Sequence, residues 1–436
     1  MSFDMRPYLE LDRVQYDVVT RPADFIVRKY KDEYLAIDGK TGRIAYGPDP
    51  NASEVLEALL TNPDAYHILV KKITIPLTKI IVTEGEKHLD FGGSVLKPAG
   101  DYQLRLAGDK NIVKNLVIDA SAVEMTIAPL VADASVNPSL VRLEDVTIKG
   151  GYRGFTYYDV GDCGQFIAKN VRTENTVHEG IYPSPGTGYT IQKVIMENIY
   201  TKSSSEDNGI DVRHALEAKL SVIVVDDCKG IYMDDVQNVE MSVLRVINPK
   251  NAPSLSINNA KNVSVENAII NGYTGSDSVN DTIRLYNCQN VKFKNVIEDG
   301  NGAYSGMAIV DSQRCVFMNC EFKNNADWGV REVTSTTPPD YNVFLNCYFE
   351  NNGLGNFNLV GEHNLIINAH DDIMFWLMTV TEVYRDDYGG GFANFTPPTP
   401  KRAGHMFFAE DTNSTSPGKR LYVSLDGSTW SYVDLT

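Results

Sequence analysis

The sequence predicts an all-β fold: a single-stranded right-handed parallel β-helix (a solenoid) with an N-terminal capping segment and a small C-terminal β module. Three observations predict it. First, helical periodicity is nearly absent. From about residue 68 to 370, short runs of Val, Ile, Leu, Phe and Tyr alternate with polar residues and break at Asn, Gly, Asp and Ser. Second, those runs recur as GFTYYD (154–159), GIYPSP (180–185), GIDVRH (209–214), GIYMDD (230–235), SLSINN (254–259), TIRLYN (282–287), GMAIVD (306–311) and GVREVT (329–334). Seven steps carry the opening residue from 154 to 329, a mean of 25 residues, with single steps of 21 to 29. Third, a second motif trails most of them: KNVSVEN (261–267), QNVKFKN (289–295), QRCVFMN (313–319) and YNVFLN (341–346). A strand-only unit of this length is one coil of a parallel β-helix. Its apolar side is buried only when coils stack about 4.8 Å apart. Parallel crossovers are almost always right-handed, which sets the expected hand.

Each element follows in order. Residues 1–67 are expected to form the N-terminal segment, with a capping helix over 52–61, Asn51 as its N-cap and Glu54 three residues on. An open β-helix end exposes unpaired backbone, so such a cap is needed. The β-helix is expected over 68–370. Offsets +1 and +3 from each opening residue point inward and are apolar, from Phe155 and Tyr157 through Met307 and Ile309. Val330/Glu332 breaks that pattern, and Pro183 lacks an N–H, so a local distortion is expected there. Asn267, Asn295, Asn319 and Asn346 follow apolar stretches where a coil must bend, and are expected as a buried or semi-buried amide ladder. Cys320 and Cys347, next to ladder members, are expected to stack inside as small apolar groups. Residues 371–404, with FTPPTPKRAG at 395–404, read as a linker or capping segment. Residues 405–436 read as a small β-hairpin module with strands at 405–409, 420–425 and 429–434 and an Asp426-Gly427 turn.

Composition narrows the function. Lys plus Arg total 40 against 57 Asp plus Glu, a net charge of −17. That balance argues against nucleic acid or anionic membrane as a partner. It suits metal ions, basic partners or uncharged polymers. No run of 18 apolar residues exists, so no helical membrane span is expected. MSFDMRPYLELDRV has no apolar signal core, so the expected location is extracellular or on a virion surface without an encoded signal peptide. Six cysteines without CxxC or zinc spacing make neither a disulfide scaffold nor a zinc site.

Chemistry is expected on the outward positions of the stacked strand, at offsets +2, +4 and +5. Ionisable groups gather in the coils opening at Gly209 and Gly230: Asp211, Arg213 and His214, then Asp234 and Asp235. Tyr182, Tyr232 and Tyr286 flank them, with Tyr158 and Asp159 one coil earlier and Asn258 and Arg284 beyond. Tyrosine faces beside carboxylates and amides suit a sugar, which offers apolar C–H faces and many hydroxyls. Asp211 and Asp234 differ by one coil and two residues, on the order of 8 Å apart. That separation falls in the window in which inverting glycosidases hold a water between two carboxyls. The expected chemistry is therefore inverting hydrolysis, with Asp211 and Asp234 as acid and base in either order and Asp235 and His214 tuning or binding. Asp234 beside Arg213 and Asp235 beside His214 are expected as adjacent-coil pairs. Arg213, Tyr182, Tyr232, Asn258, Arg284, Tyr286 and Glu179 are the expected substrate-binding residues. His178-Glu179 and Glu206-Asp207 lie on the groove rim.

The coil pattern resembles the right-handed parallel β-helix superfamily that includes pectate lyases, polygalacturonases and phage tailspikes. YLAIDGKTGRIAYGPDPNASEVLEALL (34–60) resembles the lead-in of viral and prokaryotic members, and RLYVSLDGSTWSYV (420–433) is similar to closing modules of tailed-virus fibres and spikes. The resemblance implies a tailspike-type receptor-binding protein, a homotrimer, that binds a cell-surface polysaccharide, with or without depolymerising it by glycosidic hydrolysis. The alternatives are a non-enzymatic adhesion or structural particle component, and a calcium-dependent lyase using Asp211, Asp234 and Asp235 as ligands with Arg213 or Arg284 as base. Outside that lyase alternative no cofactor or metal is expected. The polygalacturonase set of Asn-x-Asp, Asp-Asp, Gly-His and Arg-x-Lys does not occur in order, and the pectate-lyase Arg-x-Pro-x-x-Arg pattern is missing.

Overall fold

The computed structural model describes residues 23–158, 161–203, 207–250, 253–274, 281–361, 363–367 and 369–371, together with the strands 380–386, 405–411, 418–424 and 431–435. The chain folds as a parallel β-helix. Its central ladder runs Ile81–Leu104–Leu130–Phe155–Ile181–Ile210–Ile231–Leu255–Ile283–Met307–Val330–Phe357, each residue paired in parallel with the next. The eight coils legible as repeats lie in the register expected, preceded by three more and followed by one. Phe155, Ile181, Ile210, Ile231, Leu255, Ile283, Met307 and Val330 are all fully buried. Inward positions are mainly apolar because their neighbours above and below are inward as well.

Two departures from the inward pattern have causes. At Pro183 the strand shortens to Ile181–Tyr182 and turns, the Ser184 amide donating to Tyr182 O at 3.0 Å. The inward Glu332 is a buried carboxylate with donors on both oxygens. Asn342 donates to Oε1 at 2.7 Å, and the Val360 and Gly361 amides and Asn364 donate to Oε2 at 2.8–2.9 Å. It thus ties the last coils together rather than disrupting one.

The asparagine ladder exists, but outside. Asn295 donates to Asn267 at 3.0 Å, Asn319 to Asn295 at 3.3 Å and Asn346 to Asn319 at 3.4 Å, all on the exposed surface. The expected burial is corrected by the backbone. Each of these residues is a left-handed corner (φ 51–57°), and the turn points its side chain into solvent. Asparagine tolerates that conformation better than other L residues. Across the register the same corner is Asn170, Asn198, then Val222 and Val243, then Asn267. The two valines keep φ at 53° and 54°. Inside, Cys320 and Cys347 are fully buried, and all six cysteines are free.

At the N-terminal end, strands Phe25–Tyr30 and Glu33–Asp38 pair antiparallel, and Phe25–Val27 pairs in parallel with Ile68–Val70. The helix Ala52–Leu60 begins at Asn51, whose side chain accepts from the Ser53 amide at 3.0 Å. Its Val55, Leu56, Leu59 and Leu60 join the core of the coils. At the other end, Val380–Asp386, His405–Asp411, Gly418–Ser424 and Ser431–Leu435 form a four-stranded sheet. The last three match the strands expected there. Val380–Asp386, parallel to His405–Asp411, is a strand within the stretch 371–404 expected to be a linker or cap. The Pro-rich stretch 395–404 and the Asp426-Gly427 turn lie outside the described residues.

Candidate functional site

Two outward columns flank the central ladder. One stacks Asp211, Tyr232, Ser256, Arg284, Ala308 and Arg331 in successive coils, with Tyr182 in the coil before Asp211. The other stacks Arg213, Asp234, Asn258 and Tyr286. At the corner that ends each strand, His214, Asp235, Asn259 and Asn287 all adopt left-handed backbone (φ 50–54°). That corner turns their side chains outward beside the groove. Asn287 donates to Asn259 at 2.9 Å, and Asn259 donates to Asp234 at 2.8 Å. Asp234, the corner amides and Tyr286 therefore form one polar band along several coils.

The Asp211 carboxylate occupies the centre and reaches no solvent. Arg213 Nε and Nη2 donate to its two oxygens at 2.9 and 2.8 Å. Burial pushes the Asp211 carboxyl up, against the pull of Arg213, and the net direction is upward. The same pair raises the Arg213 guanidinium above its already high range. Arg213 also lies 5.4 Å from the Tyr182 ring and 5.0 Å from the Tyr232 ring. On the far side of Tyr182, Arg153 sits 4.6 Å from the ring, holds Glu179 at 2.5 Å and lies 5.5 Å from Tyr152. The result is a continuous stack along the helix axis: Tyr152, Arg153, Tyr182, Arg213, Tyr232. Each guanidinium–ring contact stabilises by about 0.5–2 kcal/mol and, more importantly, holds both planes in fixed orientation.

The expected neighbours are largely brought together. His214 Nδ1 contacts Asp235 Oδ2 at 3.1 Å. Asp234 stands opposite Arg213 in register, yet the Arg213 fork turns back to Asp211 in its own strand. Glu179 is buried on Arg153, and His178 packs on Tyr152 (4.1 Å) with its Nδ1 against Asp207 Oδ2. Glu206 and Asp159 lie outside the described residues, as does the Tyr158 side chain. Asp211, Asp234 and Asp235 do not converge: among the described residues no three His, Cys, Asp or Glu side chains are grouped to hold a metal. Tyr152 and Arg153 were not anticipated, because they precede the opening Gly154 in a turn of variable length. Their signal was the Tyr-Arg pair one period before Tyr182.

No protein-family model and no curated protein matches the sequence. Solved structures are similar to it at low identity. A periplasmic alginate epimerase shares 10% identity over 85% of this chain and 98% of that one, with a TM-score of 0.36. The catalytic domain of a GH87 alpha-1,3-glucanase in complex with tetrasaccharides shares 10% over 76% and 71%, with a TM-score of 0.40. A bacteriophage CBA120 tailspike protein shares 11% over 97% and 73%, with a TM-score of 0.37.

Proposed function

We propose that this protein binds an extended glycan lengthwise along the groove from Tyr152 to Tyr286. The observation that carries the reading is the axial stack of alternating tyrosine and arginine planes, bordered by Asp234 and the Asn258, Asn259 and Asn287 amides. The outer rim of the ladder offers aromatic ring edges, phenol hydroxyls and guanidinium donors to a sugar chain lying over it, while the bordering amides and carboxylate take hydroxyls. Coil spacing sets a new polar or aromatic group about every 4.8 Å along the axis, which suits an extended polymer better than a compact ligand. A glycan array probed with the full chain tests it. Tyr182→Ala and Tyr232→Ala should each weaken binding about 3- to 10-fold. Undiminished binding by both variants, or no glycan bound by the wild type, would overturn the reading.

A second reading, glycosidic hydrolysis, is favoured by one observation. The two carboxyls are held differently: Asp211 is fully buried, which raises its carboxyl, while Asp234 is only partly buried at the groove surface and accepts a hydrogen bond from Asn259. Asp211 would then be the acid and Asp234 the base, with Arg213 swinging aside to expose Asp211. Release of reducing ends from the glycan that the array selects, abolished in Asp211→Asn and in Asp234→Asn, is the required result. Binding without cleavage leaves an adhesion component. A particle-borne homotrimer is the assembly this reading expects, and light scattering measures it.

A further inference from the structure

We infer that the glycan carries a negatively charged group, and that Arg284 is the side chain that receives it; the inference rests on the groove reading above. Four other arginines along this face are each committed to a largely buried carboxylate of the chain. Arg105 pairs with Asp133 at 2.5 Å, Arg153 with Glu179 at 2.5 Å, Arg213 with Asp211 at 2.8 Å and Arg331 with Asp281 at 2.8 Å. Arg284 stands in the same column and is exposed. No carboxylate lies within ion-pair distance of it among the described residues.

The neighbours of Arg284 leave room for a ligand group. In its column Ser256 lies one coil before and Ala308 one coil after, both short and both buried. On the Ala308 side Arg331 reaches back across that coil to Asp281 at 2.8 Å, so the short-chained approach to the Arg284 guanidinium is from the Ser256 side, one coil spacing (~4.8 Å) away. The Tyr286 ring, two residues on in the same strand, lies 5.6 Å from the guanidinium. A guanidinium fork presents two parallel donors, the arrangement that matches a carboxylate or sulfate. The Asn287–Asn259 amides run alongside for neighbouring hydroxyls.

The charge balance gives the inference weight. At −17 the whole chain repels polyanions, so an acidic polymer needs a local cation that the chain has not already neutralised. Among the described arginines named here, Arg284 meets that condition inside the groove. A neutral polymer would need no such group, and the other arginines show how this face disposes of its positive charge when no ligand anion is meant to meet it.

The test uses the full chain on an array of matched oligosaccharide pairs: uronate against its neutral parent, and sulfated against unsulfated. The expected result is binding to acidic members, weakened about tenfold or more in Arg284→Ala and less in Arg284→Lys, and weakened by added NaCl. The uronate and sulfate arms tell the two sources of negative charge apart. Preference for neutral members, or an Arg284→Ala variant that binds acidic members as wild type does, would overturn the inference while Tyr232→Ala still reports on the groove. If Tyr232→Ala has no effect on any bound glycan, the groove reading itself has failed. Arg284 is exposed, so these variants should keep the wild-type melting temperature, which serves as the folding control.

Discussion

Replacing Glu298 by Gln should remove a pH dependence of stability that the interior of the solenoid creates. Glu298 is fully buried among the coils, and burial pushes its carboxyl from 4.5 up to about 8. Asn325 donates to Oε2 at 3.0 Å, while Glu298 Oε1 and Asn325 Oδ1 are both buried without a partner. A proton on the carboxyl removes the buried charge and gives Glu298 an O–H donor. Because the folded pKa is raised, the native state holds a proton that the unfolded chain releases above pH 4.5. Stability therefore falls as pH rises from about 4.5 to about 8 and levels off beyond. A shift of that size corresponds to at most about 5 kcal/mol. Glu298→Gln keeps the shape and the donor at every pH. Urea midpoints at pH 5 and pH 9 for both proteins measure the effect, and other titrating groups cancel in the comparison. The wild type should lose several kcal/mol more than the variant between the two pH values. Parallel losses would refute the protonated state of Glu298.

Further predictions concern the corners and the groove. Val222→Asn and Val243→Asn should each stabilise by about 1–2 kcal/mol, because β-branched residues are strained at φ 53–54° and the new amides would bridge Asn198 to Asn267. A lowered melting temperature in both would show that the corner is not strained. Asp211→Asn should destabilise by about 3 kcal/mol and loosen Arg213, since a half-buried guanidinium loses its counter-charge. Asp235→Asn, at an exposed corner, should change stability by less than about 0.5 kcal/mol. Equal losses in these two urea titrations would contradict the assigned burial of Asp211. Glu332→Ala should cost about 3 kcal/mol by leaving the Val360 and Gly361 amides and two asparagines without their acceptor.

Much of the coil register was legible because a solenoid repeats one constraint. Ile210, Ile231 and Leu255 share an apolar column, so counting from a small opening residue placed Asp211, Tyr232 and Ser256 side by side. The asparagine column was legible as a pattern, but not its side of the wall. Sequence marks where the chain bends, whereas the sign of φ decides which way the side chain leaves. Glu332 looked like an error in the repeat because its acceptor role depends on Val360 and Gly361, about one coil on. The burial of Asp211 was hidden for a related reason. Periodicity says that a residue faces outward, and only lateral packing of Arg213, Tyr182 and Tyr232 says that it is covered. Arg153 and Tyr152 escaped because turn lengths vary, so a count anchored on strands loses its place there.

The central claim is that stacked coils build one glycan-binding groove over the Tyr–Arg ladder. The most direct measurement is a crystal structure of the protein with the oligosaccharide that the array selects. The account predicts sugar rings lying along the helix axis over the rim of the Tyr182–Arg213–Tyr232 ladder, with hydroxyls on Asp234 and Asn258. Sugar bound instead in the separate depression of about 530 Å³ lined by Lys219, Asn238 and Asn262, with the ladder bare, would contradict it.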